Sequence, residues 1–166
     1  MYYLSLHDMV WINAQIVSSG TPLDYEALEA GMAAQYAYGD SRDIRSQAGW
    51  MAEASLRHTA FRSGSVRTAL LSVAVFLHGN GAELREDLAA LSTTVREIRS
   101  GTKPGSGLIE ALARTVPESP EDRYRHPPLR TTYRIVADHL APVLAELAAE
   151  DGVVADWSVS PFLHRD

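Results

Sequence analysis

The chain has 166 residues, of which 46% are hydrophobic and 22% charged, and its 21 acidic against 15 basic side chains give a formal net charge of −6. That length supports one hydrophobic core without metal or disulfide help. The absence of cysteine excludes disulfides, thiol nucleophiles and cysteine metal sites, and the negative balance argues against broad attraction to nucleic-acid backbones.

The first residues carry neither a basic start nor a long apolar run, so they do not read as a signal peptide. A cytoplasmic protein is expected. Residues 5–18 predict a first helix, with Leu6, Met9, Val10, Asn13 and Val17 near helical spacing and Ser5 and Asp8 placed as a capping pair. The cluster from Ser18 to Pro22 ends it, and a second helix follows Asp24, with Tyr25, Leu28, Met32 and Tyr36 on one face. Residues 36–43 form a polar interruption with aromatics, read as a mobile flap. Residues 44–58 predict a third helix whose small residues, Ala48 and Ala52, permit close approach to a neighbour.

The stretch from Ser63 to Gly81 organises the rest. Between Val66 and Leu77 apolar side chains occupy nearly every face of a helix, the pattern of an element at the centre of a fold. Ser63 and Ser65 stand as candidate N-caps around Gly64, and Gly79, Asn80 and Gly81 suit a helix end. The unpaired N–H groups at the amino end, the positive end of the helix dipole and Arg67 make a place that attracts a phosphate or a carboxylate. The blander reading is a buried helix capped by Ser65, with Arg67 paired to a neighbouring acid.

Further on, residues 86–98 and 108–116 predict two helices separated by a glycine-rich loop, and residues 117–128 a proline-broken charged loop. Residues 130–150 predict the last long helix, with Tyr133, Val136, Leu140, Val143 and Leu147 on one stripe and Pro142 as a candidate kink. Beyond it, Trp157 and Phe162 are expected to pack an extended arm. The change from Glu118, Glu121 and Asp122 to Arg123, Arg125, His126, Arg130 and Arg134 reads as a solvated face rather than a docking strip. Exposed roles for Tyr36, Tyr38 and Trp50 rank below packing. The histidines show no i, i+4 pair, so no metal site is expected.

Residues 59–70, Thr-Ala-Phe-Arg-Ser-Gly-Ser-Val-Arg-Thr-Ala-Leu, resemble the Fic/Doc family, in particular its death-on-curing branch, with flanking agreement over about residues 4 to 95. The resemblance implies an all-α fold: a Fic/Doc-like helical bundle around the buried central helix, with a short flap beside the active loop. Residues 1–100 would form that core, and residues 101–166 a helical C-terminal extension packed on the same domain.

Members of that family move AMP or a phosphate from a nucleotide to a protein hydroxyl, which in bacteria links them to toxin–antitoxin systems. The chain keeps Phe61, Gly64, Arg67, Thr68, Ala69 and Leu70 of the motif. Thr59 stands where the family has its His base, Ser63 where it has the acid or Asn that holds Mg²⁺, Ser65 where it has Asn and Val66 where it has Lys. General-base assistance contributes about 10²–10⁴-fold, and a threonine hydroxyl cannot supply it near neutral pH.

The expectation is therefore a protein that keeps an anion-binding helix start at Gly64, Ser65, Val66 and Arg67, supported by Thr59, Phe61 and Ser63, and has lost the standard transferase residues. It would act by binding, in a toxin-like or complex-forming role. Its expected partners are a protein such as an antitoxin-like inhibitor, or a phosphate-bearing small molecule; ATP or another nucleotide is the implied ligand, and Mg²⁺ is not favoured. Two alternatives stand beside it: rewired transferase chemistry with His58 as the catalytic base, one residue before the family's position, and an all-helical interaction domain.

Overall fold

The computed structural model describes residues 1–17, 24–120 and 126–151. In these residues the chain forms seven helices: α1 (Leu6–Ile16), α2 (Tyr25–Ala34), α3 (Ile44–Arg57), α4 (Ser65–Gly79), α5 (Leu91–Arg99), α6 (Ser106–Leu112) and α7 (Leu129–Ala148). Two short strands, β1 (Glu83–Leu84) and β2 (Ala113–Thr115), pair antiparallel between them. The mostly helical architecture expected from the sequence is present.

The all-round apolar helix is the hub. Only Ser65, Arg67 and His78 of α4 escape burial, and α1, α3 and α7 pack around it. Helix α3 is a second hub, contacting α2, α4, α5 and α6. Its Ala48 and Ala52 are fully buried, as expected of small residues at a close helix crossing. The C-terminal third shares the same core, through Leu108, Ile109 and Leu112 of α6 and Val136, Leu140, Val143 and Leu147 of α7. Pro142 lies inside α7, and the helix continues past it.

The first three helices are started by nearby side chains. Ser5 and Asp8 form a reciprocal capping box on α1, Asp24 accepts from the Ala27 amide at 3.0 Å, and Asp43 accepts from the Arg45 amide at 3.0 Å. The extended residues before α1 are held differently. The buried Gln35 side chain accepts from the Leu4 amide at 2.8 Å and donates to its carbonyl at 2.6 Å. Asn80, at the end of α4, treats Tyr2 the same way at 2.7 and 2.9 Å and also donates to the Phe76 carbonyl. Two carboxamides thus replace a strand partner and satisfy backbone groups that burial would otherwise leave unpaired.

Several expectations need correction. The residues read as a flap form a hydrogen-bonded corner: Ala37, Asp40 and Asp43 each donate to the carbonyl three residues earlier, and Tyr36 packs on Tyr3 with ring centroids 4.7 Å apart. It lies at the start of α3, whereas the motif loop follows its end, so the 14 residues of α3 separate them by about 21 Å. A helix over residues 86–98 starts only at Leu91, because Asp87 accepts from the Ala89 amide and turns the chain first. The helix expected over 108–116 runs Ser106–Leu112, and the residues after it leave the helix to pair with β1, where Glu83 bonds Arg114 and Thr115. Trp157 and Phe162 lie outside the described residues, as do Glu121, Asp122, Arg123 and Arg125 of the charge switch. From that switch, Arg130 sits over the Trp11 ring, 5.9 Å from its centroid.

Candidate functional site

The motif loop joins the end of α3 to the start of α4. Its Ser65 hydroxyl turns back and accepts from the amides of Ala60 at 3.1 Å and Phe61 at 3.4 Å, so it fixes the loop instead of capping α4. Phe61 is buried against the core, and the Ala60 carbonyl accepts from the Asp24 amide at 3.2 Å, tying the loop to the start of α2. From α1, the fully buried Asn13 donates to the Ser63 carbonyl at 2.8 Å and to the Thr68 hydroxyl at 2.9 Å. The loop is therefore held from three sides.

Gly64 is the N-cap of α4, with φ +72°. A Cβ there would meet Val17 at 2.8 Å and Asn13 and Ile16 at 3.3 Å, so the end of α1 packs directly on Gly64. The cap of α4 comes from far away in sequence. Asp151, just past α7, accepts from the amide of Val66 at 2.7 Å through one oxygen. Its other oxygen accepts from the Arg67 amide at 2.9 Å and the Arg67 Nε at 3.0 Å. The Asp151 side chain is 2% exposed and that of Arg67 17%. Three donors, two of them unpaired helix N–H groups and one cationic, close on one carboxylate, the combination that makes strong anion sites.

Helix α5 fixes the position of this carboxylate. Arg96 bonds Glu146 at 3.2 Å and also pairs with Glu150, Arg99 lies 3.8 Å from Glu150, and the Ser92 hydroxyl donates to Glu146 at 2.9 Å. These contacts hold the last turns of α7 against α5, directly before Asp151.

The structure brings Ser63, Gly64, Ser65, Val66 and Arg67 together around the start of α4, with Phe61 beneath them. It does not bring His58 to that place. His58 is the exposed C-cap of α3 and makes no hydrogen bond or ion pair among the described residues, and Thr59 beside it is exposed as well. Behind the loop, Phe61, Ser65, Thr68 and Ser72 line a cavity of about 20 Å³, room for one water, into which the partnerless buried Ser72 hydroxyl fits.

Sequence reasoning missed Asp151 and the bracing role of Asn13. Arg67 signalled that an acid should sit nearby, but 21 acidic residues offered no way to choose among them. Among the described residues no group of three or more His, Asp or Glu is placed to hold a metal, and no helix is long and apolar enough to cross a membrane. Compared with protein-family models, with curated proteins and with solved structures, the chain matches none.

Proposed function

We propose that this is a Fic/Doc-like protein that has given up nucleotide-dependent group transfer and acts by binding, in a toxin-like or complex-forming role. The observation that supports this reading most is Asp151. Its carboxylate occupies the amides of Val66 and Arg67 and the Arg67 guanidinium, the groups to which the resemblance assigns a donor phosphate. A nucleotide phosphate would have to expel that carboxylate, since two anions cannot share three donors. The position to which the resemblance assigns the base is Thr59, and His58 beside it is exposed.

The test is label transfer. With radiolabelled ATP and Mg²⁺, neither the wild-type chain nor Asp151→Ala should pass label to itself or to added protein, because vacating the anion site restores no base. Asp151→Ala should nevertheless bind inorganic phosphate more tightly than wild type. Label transfer by the wild-type chain that disappears in His58→Ala would overturn the proposal.

A further inference from the structure

Asparagine followed by glycine is chemically labile, because the glycine nitrogen, unhindered by a Cβ, can close on the neighbouring side-chain amide. The chain has two asparagines, Asn13 and Asn80, and only Asn80 precedes glycine. The fold asks for both residues of that pair. Gly81 turns the chain out of α4 with φ +93°, in the left-handed region that favours glycine. Asn80 supplies the carboxamide that holds Tyr2.

In the folded chain both reacting groups are occupied. The Asn80 side-chain oxygen accepts from the Tyr2 amide at 2.7 Å, and its nitrogen donates to the Tyr2 carbonyl at 2.9 Å and the Phe76 carbonyl at 2.8 Å. The Gly81 N–H donates to the His78 carbonyl at 3.0 Å. Asn80 is 8% exposed, and the Tyr2 ring lies over Gly79, where a Cβ would meet it at 2.7 Å. The amino-terminal residues therefore shield the pair and hold its side chain away from reaction.

We infer that Asn80 and Gly81 form a latent deamidation site guarded by residues 1–4, and that its conversion releases those residues irreversibly. When the segment lifts, the Gly81 nitrogen gives its proton to solvent and attacks the Asn80 side-chain carbonyl carbon. A C–N bond forms, the bond to the side-chain nitrogen breaks, and that nitrogen leaves as ammonia. Water then opens the cyclic imide to aspartate or isoaspartate. One carboxylate oxygen could still accept from the Tyr2 amide, but the other would face the Tyr2 and Phe76 carbonyls with no proton to offer. The new charge would also sit at the negative end of the α4 dipole. The clamp cannot re-form on the product.

Peptide mass mapping, resolved to residue 80, tests this on the full chain incubated in mildly alkaline buffer with and without guanidinium chloride. Deamidation should run at least about tenfold slower in the folded chain, since it proceeds only through the rare open form. Tyr2→Gly, which removes the ring over Gly79, and Gln35→Met, which frees Leu4, should each speed it several-fold with unchanged circular dichroism. The second variant serves if the first misfolds. Asn80→Asp should lower the urea midpoint and open the Tyr2 and Leu4 amides to hydrogen exchange. Equal rates with and without denaturant, folded variants no faster than wild type, or an Asn80→Asp chain whose first residues stay as protected as in wild type would overturn the inference.

Discussion

Asp151 and Arg67 meet across 84 residues of sequence, and the single carboxylate serves as N-cap, charge partner and clasp between α7 and α4. Removing it would leave two helix N–H groups and a guanidinium in a place with little water. Asp151→Ala should therefore cost about 2–3 kcal/mol in urea unfolding, from the loss of charge-assisted bonds and the cap. Asp151→Asn, which keeps one acceptor oxygen, should cost about 1 kcal/mol. A loss for Asp151→Ala within about 0.5 kcal/mol, typical of a surface change, would mean that the contact does not persist in solution.

Among the elements, α3 and α6 approach closely enough that glycine is required. A Cβ on Gly105 would lie 2.0 Å from the Gly49 carbonyl oxygen and 2.9 Å from the Glu53 amide, both rigid backbone. Gly105→Ala should push α6 off α3 and cost more than about 3 kcal/mol, a core-overpacking penalty. Gly101→Ala is the control: φ is +79° with nothing within 4 Å, so the left-handed backbone alone should cost about 1 kcal/mol. The two thermal melts, compared side by side, check the pair.

The same scale explains what the sequence discloses. Helices α1, α2 and α3 were legible because Ser5, Asp24 and Asp43 sit beside the amides they cap, and α4 because its apolar residues leave no polar face. Strands β1 and β2 were not, since each is too short to show a period and exists only through the other. Helix α4 was expected to be capped by Ser63 or Ser65, but its cap arrives from beyond α7, and a partnership over that span leaves no local pattern. The motif residues could be named from the sequence; the group that fills the space between them could not.

At the level of the whole molecule, the two amide clamps draw the first residues into the core and with them the Tyr2 phenol. Burial, with a smaller contribution from the nearby Asp8 charge, pushes that phenol from its ordinary 10.0 up to about 12. Burial raises Tyr133 too, with Asp138 acting in the same direction. The folded state thus holds these protons more tightly than the unfolded chain. Stability from this source is complete below pH 10 and is lost as pH rises towards about 12. Urea midpoints measured across that window should fall, and Tyr2→Phe should flatten the decline; an identical slope in the variant would assign the effect elsewhere.

Those clamps also impose an order on the birth of the protein. Tyr2 and Leu4 leave the ribosome well before their partners, since the carboxamides that grip them belong to residues 78 and 31 positions later. Until Asn80 has emerged, the leading segment has half its grip and stays hydrated. A nascent chain stalled before that point should leave Tyr2 and Leu4 open to proteases, and the completed chain should protect them.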